Sequence, residues 1–394
     1  MAKILLVEPD YRTEYLPLGL QKIATYHLKK GDEVRYIKGM PKEYGGKSLL
    51  NGERYYPHII YITSLFTYTG RTVIQTIHEY QSRYPKSEIR VGGIFATLMA
   101  DYVEKETGIK PHKGLLQEVE GFTPDYSCFP DTKKSVLFTS RGCPRKCKFC
   151  AVKELEDYHI IENWKEHINL AKKHVVTQDN NILSTPWEHQ VDVVEYLARF
   201  RGKRIEFNGG FDCFRFNKDA AELYGKLSIN PVRFAFDDMR QDGHIQRAIE
   251  LAKKYKLGND YTIYVLYNFN DKPEDFYYRS KEMIKLGASV YPMRYTPLNW
   301  LDKNYVGDNW TEQQLSNLNE LIRHNSWGRI IIFGRFKLND FERIYGKNEK
   351  EFVEIISHYH ETLDYKAKKR HYASKQKSAV IEKGNEQLSL EVTA

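Results

Sequence analysis

The sequence predicts an α/β protein built in two parts. A doubly wound (Rossmann-like) parallel sheet comes first, then six βα units in series that form a partial barrel, with a helical C-terminal segment appended. Two observations carry this. Apolar runs of strand length alternate with segments of helical period from residue 3 to residue 295, the pattern of parallel sheets. The alternation is interrupted by "EGFTPDYSCFPDTKKS", rich in turn formers and charge, which reads as a linker. The expected organisation is 1–125 for the sheet, 126–134 for the linker, 135–300 for the barrel, 301–365 for the helical segment and 366–394 for a polar tail.

In order, "KILLVE" (3–8) is a strand, and "LGLQKIATYHLKK" (18–30) a helix with Leu20, Ile23, Ala24 and Leu28 at helical spacing and Gly31 as its stop. "EVRYIKG" and "HIIYITSLF" are strands, "RTVIQTIHEYQSRY" (71–84) a helix, "SEIRVGG" a strand and "FATLMADYVEKETG" (95–108) a single helix. The barrel strands are "SVLFTS" (135–140), "HVVTQDN" (174–180), "RIEFNGG" (204–210), "VRFAFDD" (232–238), "YTIYVLYNF" (261–269) and "SVYPMRY" (289–295). Helical patterns such as "QRAIELAKKYK" and "EDFYYRSKEMIKLG" lie between them. In such barrels the active site forms at the carboxyl ends of the strands, where the first strand delivers the segment "TSRGCPRKCKFC".

Composition bounds the classes. With 28% charged and 41% hydrophobic residues, the chain is an ordinary globular one. No apolar run approaches a membrane span, and "MAKILLVEPD" reads as a strand and not a signal peptide, so the expected compartment is the cytoplasm. Five cysteines, three of them bunched, make no disulfide framework and point to metal or redox chemistry. The net charge of +8 favours anionic partners. Part of it lies in the tail (Lys366, Lys368, Lys369, Arg370, Lys375, Lys377), a solvated end or a nucleic-acid contact.

Cys143, Cys147 and Cys150 stand in C-x3-C-x2-C spacing. Thiolates take soft or borderline metals, which leaves zinc and iron–sulfur. Zinc sites usually show two separated ligand pairs; only Cys147 and Cys150 form one, with His159 available to complete a Cys3His set. A cubane normally takes four cysteines, so three would leave one iron coordinatively open, and an open metal position is a catalytic device. Arg141, Arg145, Lys146 and Lys148 would offset the anionic sulfur or dock an acidic electron donor.

The three cysteines, with aromatic Phe149 before the third, resemble the signature of the radical S-adenosylmethionine superfamily. The resemblance implies a single 4Fe-4S cluster on Cys143, Cys147 and Cys150, and S-adenosylmethionine chelated at the open iron. It further implies reductive cleavage to a 5′-deoxyadenosyl radical, and a reducing donor such as a flavodoxin or ferredoxin. It also gives Phe149 to the cofactor, Gln178 and Asp179 to the methionine amine, and Asn208, Asp212 and Asp237 to its carboxylate or ribose. The superfamily's common Gly-Gly-Glu run is replaced here by "QDN". The two other cysteines, Cys128 and Cys213, are too few for a second cluster, and Cys213 reads as a small buried strand residue.

Residues 1–125 resemble the cobalamin-binding-type domain that precedes many such barrels, through "EPDYRTEYLPLGLQKIATYHLKKGDEV", "ITSLFT" and "VGGIFAT". Ser64, Leu65, Gly92 and Gly93 then fall where a nucleotide tail would be contacted. The D-x-H-x-x-G motif of histidine-ligating domains is missing, since Glu8 to Gly19 holds no histidine. Cobalamin is left open as a cofactor. The expected activity is radical modification of a small molecule, a nucleoside or RNA base, or a peptide. Against it stand a nucleic-acid-binding module with a structural cluster, using some of the 29 tyrosines for stacking, and a zinc-stabilised binding module.

Overall fold

The computed structural model describes residues 1–40, 55–200, 202–325 and 337–359; the basic tail lies outside them. The chain is a mixed α/β protein with parallel sheets. Strands β1 (Lys3–Glu8), β2 (Glu33–Lys38), β3 (Ile59–Ser64) and β4 (Glu88–Gly93) form one parallel sheet in the order β2-β1-β3-β4. Successive side chains of a strand point to opposite faces. Ile4 and Leu6 therefore join one core with Leu20, Ile23 and Ala24 of α1 (Leu18–Lys29). Leu5 and Val7 join a second core with Val73, Ile77 and Tyr80 of α2 (Gly70–Arg83). Both faces are covered, as a purely parallel sheet requires.

The single helix expected over 95–108 is two, α3 (Ile94–Leu98) and α4 (Ala100–Thr107). Met99 between them leaves helical geometry at φ −127° and ψ 42°. A short α5 (Gln117–Glu120) leads into the connection to the second half.

That half contains β5 (Lys134–Leu137), β6 (Ser140–Arg141), α6 (Val152–Leu155), β7 (His159–Ile160), β8 (His174–Thr177) and α7 (Trp187–Leu197). It continues with β9 (Arg204–Phe207), α8 (Lys218–Tyr224), β10 (Val232–Ala235), α9 (His244–Lys254), β11 (Tyr261–Tyr267), α10 (Pro273–Lys285) and β12 (Ser289–Arg294). Its main strands make two parallel sheets, β5-β8-β9 and β10-β11-β12, with isolated parallel bridges Ile205↔Ile229 and Phe211↔Phe234 between them. β6 and β7 pair antiparallel and frame the cysteine loop.

The strands stop short of the apolar runs that announce them. β8 ends at Thr177 and β9 at Phe207. Beyond those points Gln178 and Asn208 bond to each other, and Asp179 turns back to Thr139. Val175, Ile205, Phe207, Val232, Phe234, Ile263 and Val290 pack into the helix-side core. Glu206, Arg233 and Tyr264, at alternate positions, bond together on the other face. Helices α11 (Glu312–Asn325), α12 (Leu338–Tyr345) and α13 (Glu349–His358) close the described chain, adding Leu315, Leu318, Phe341, Phe352 and Ile356 to that core.

Candidate metal and cofactor site

The cysteine loop starts where β5 meets a buried clamp. Oδ1 of Asp179 accepts from Thr139 N (2.9 Å), Thr139 Oγ1 (2.8 Å), Ser140 N (2.5 Å) and Ser140 Oγ (2.8 Å). Thr139 Oγ1 also lies 2.9 Å from His189 Nε2. Asp179, expected at the cofactor amine, is thus placed beneath the loop, with its Oδ2 buried and unbonded among the described residues.

Gly142 then turns the chain toward the first cysteine. Its φ is +69°, and a Cβ there would come within 2.5 Å of the Asp157 carbonyl carbon and oxygen. The αL conformation alone costs a side-chain-bearing residue about 1–2 kcal/mol. Gly142→Ala should therefore shift the β6–β7 frame, reduce iron retained after reconstitution and lower stability by about 2 kcal/mol or more. Unchanged iron content and an unchanged urea midpoint would contradict this.

Cys143, Cys147 and Cys150 are all half-buried, and the Cys150 amide donates to the Cys147 carbonyl at 3.1 Å. Burial pushes the Cys147 thiol up, opposed by the Arg145 guanidinium. Burial also pushes Cys150 up, opposed by the Val152 amide and reinforced by Cys147 and Cys143. Among the described residues, no group of three or more His, Cys, Asp or Glu side chains surrounds a single point as one ion would require. In a cubane each cysteine bonds a different iron, so its three thiols need not converge on one. His159 turns its Nδ1 to the Asp157 carbonyl at 3.0 Å and belongs to no such group.

The loop's basic residues divide. Arg141 pairs with Glu120 (3.1 Å) and Glu156 (3.2 Å), and Glu120 also holds the buried Lys22 at 3.0 Å. It ties the loop to α1 and α5, and its charge is answered there. Lys146 and Lys148 are exposed. Arg145 stays at the site, 2.8 Å from Asp212 Oδ1 and within electrostatic reach of Cys147 and Cys213.

Asp212 also accepts from Asn181 Nδ2 at 3.1 Å, so its carboxylate orients Arg145 toward the thiols. Asp237 is pushed up to about 6, chiefly by burial and against the pull of Arg279. Cys213 is distant from the loop in sequence and close to it in space; it is buried and takes the Gln241 amide at 3.5 Å, and burial pushes its thiol up to about 11. Phe149 packs edge-on against Phe269 at 5.8 Å, which meets Tyr295 at 4.6 Å, so the segments just past β11 and β12 supply an aromatic wall.

Gln178 and Asn208 meet at 2.8 Å at the ends of β8 and β9. A residue that sequence reasoning passed over joins them: Tyr15, from the loop after β1, lies 3.3 Å from Asn208 Oδ1 and 3.2 Å from Glu206 Oε1. Both distances exceed the usual O–H···O length, as one shared proton requires. Glu206, in turn, contacts His174 Nε2 (2.9 Å) and Arg233 Nη1 (2.5 Å), and Arg233 Nε donates to Tyr264 OH at 3.1 Å. The one signal for Glu206 was a carboxylate at an alternate position inside an apolar strand, "RIEF".

Comparison with known proteins adds little. No family profile matches the chain, and no curated protein does. Among solved structures, it is similar to the cobalamin-dependent S-adenosylmethionine radical enzyme OxsB, at 15% identity and a TM-score of 0.36. That match covers 90% of this chain and 56% of that one, so the chain spans little more than half of OxsB. An N-acetyl-L-ornithine transcarbamylase matches at 10% identity and a TM-score of 0.16, covering 68% and 79%. Likeness at these levels carries no functional inference; the residues themselves must carry it.

Proposed function

We propose that the protein is a radical S-adenosylmethionine enzyme with one 4Fe-4S cluster held by Cys143, Cys147 and Cys150, and that β5 and β8–β12 form one partial barrel around it. The observation that carries this is a loop of three half-buried thiols at the carboxyl ends of parallel strands, with Arg145 held by Asp212 within electrostatic reach of Cys147. The donor set fits the cluster: soft sulfur ligands, a cation to offset their charge, and polar groups nearby. When bound, the cluster supplies the electron for reductive cleavage of S-adenosylmethionine, the source of the 5′-deoxyadenosyl radical. Asp179 and Gly142 shape the loop that presents the thiols. Gln178, Asn208 and Asp237 offer hydrogen-bonding groups at the same strand ends, and Phe149 and Phe269 exclude water along one side.

An external one-electron reductant of flavodoxin or ferredoxin type completes the system.

The test is anaerobic reconstitution followed by iron, sulfide and zinc analysis, then reduction with S-adenosylmethionine and assay for 5′-deoxyadenosine. Zinc in place of iron, or no deoxyadenosine from an intact cluster, would sink the reading. Cys147→Ala should lose both cluster iron and deoxyadenosine formation. Cys213→Ala should keep the iron, because Cys213 is buried against Gln241; iron loss in that variant would make Cys213 a ligand.

A further inference from the structure

We infer that the N-terminal unit takes no cobalamin, because the groups at the crevice where such a cofactor would lie are already engaged within the chain. The inference goes beyond the cluster assignment and does not depend on it. In open α/β sheets, ligands bind outside the carboxyl ends of the strands, at the point where strand order reverses. Here that point is between β1 and β3.

Each strand end there is already engaged. At the end of β1, the buried Glu8 carboxylate receives Thr13 Oγ1 (2.6 Å), Tyr36 OH (2.6 Å) and Lys38 Nζ (2.8 Å). The loop after β1 carries Tyr15 to Glu206 and Asn208. At the end of β3, Ser64 Oγ donates to the Gly92 carbonyl at 2.9 Å and accepts from the Ala96 amide at 3.0 Å, which leaves its hydroxyl no proton for a ligand. Gly93 is required by the strands themselves, since a Cβ there would lie 2.2 Å from the Ser64 carbonyl oxygen. The small residues that suggested a nucleotide tail thus have structural work in this sheet.

The segment after β12 then covers the edge. Leu301 packs on the β1–β3 core beside Phe95, close enough that a Cβ on Gly70 would meet Phe95 at 2.6 Å and Leu301 at 3.0 Å. Lys303 Nζ lies 4.0 Å from the centre of the Tyr68 ring. The segment is anchored from beneath: Arg294 Nη2 and Asn268 Nδ2 donate to the Tyr305 carbonyl at 2.9 and 3.0 Å, and Gly307 N donates to Asn268 Oδ1 at 2.8 Å. Beside it lies an open cleft of about 320 Å³ lined by Thr97, Leu98, Glu154, Leu298 and Asn299. The N-terminal unit is tied to the cysteine-loop half through Tyr15 and through the Lys22–Glu120–Arg141 contacts.

The experiment uses the full chain, produced in cells supplied with hydroxocobalamin and, separately, reconstituted with hydroxocobalamin in vitro. After desalting, cobalt and the visible corrin absorption are measured beside iron and sulfide. The expected result is cobalt far below one per chain, no shift in the corrin spectrum, and deoxyadenosine formation unaltered by added cobalamin. One cobalt per chain, or a several-fold stimulation by cobalamin, would overturn the inference. Protein lacking both iron and cobalt would count against the cluster assignment and leave this one standing.

Discussion

Asp179→Ala should strip the cysteine loop of its capacity to retain iron and lower stability by about 3–5 kcal/mol. The carboxylate oxygen is the shared acceptor for two backbone amides and two hydroxyls at Thr139 and Ser140, which are buried. The hydroxyls can turn elsewhere. The amides cannot, and a buried unpaired donor costs about 1–3 kcal/mol. Because these residues lead directly into Gly142 and Cys143, the loss falls on the spacing of the thiols and not only on the global midpoint. Asp179→Asn keeps an oxygen acceptor in place and should cost less than half as much. Urea unfolding and iron content after reconstitution read the two effects separately; an alanine variant with full iron and an unmoved midpoint would show that the clamp does not hold the loop.

Glu206→Ala should be comparably severe, about 3–5 kcal/mol, since it leaves Arg233 and His174 without their buried partner. The interaction also has a pH signature. Burial pushes the Glu206 carboxyl up, but the hydrogen bond from His174 and the charge of Arg233 outweigh it and hold the group down at about 2, against an ordinary value of 4.5. A carboxylate held low in the folded chain stabilises it above the unfolded-state value, and that stability fades as pH falls toward the folded one. The linkage amounts to about 3 kcal/mol. Wild-type stability should therefore fall between pH 4.5 and about 2, and the deficit of Glu206→Gln against wild type should narrow over the same range. A deficit independent of pH would mean that packing, and not charge, is what Glu206 provides.

Much of the architecture was legible because it is periodic. Ile4, Leu6 and Leu5, Val7 announce a sheet covered on both faces, and the spacing of Cys143, Cys147 and Cys150 is a local pattern that folding cannot disguise. What escaped was long-range and had no period. Nothing in "QDN" says that Asp179 turns back to Thr139 and Ser140 while its neighbour Gln178 turns to Asn208. Arg141 and Arg145 look alike in sequence, yet one is claimed by Glu120 and Glu156 and the other by Asp212. Cys213 is far from the loop along the chain and near it in space, a proximity that only the turn after β9 creates. The break at Met99 was hidden because both flanking segments have helical composition.

The Tyr15 contact has a consequence for the order in which the chain can fold. Its partners on and after β9 lie 191 and 193 residues further along. Contacts of such span are the slowest to form, because a long loop must close before they contribute. During synthesis the first sheet emerges complete, with the loop bearing Tyr15 still lacking its acceptors, and waits until β9 has emerged too. Docking of one half on the other cannot precede the emergence of β9, and it brings Tyr15 to the strand ends where Gln178 and Asn208 meet.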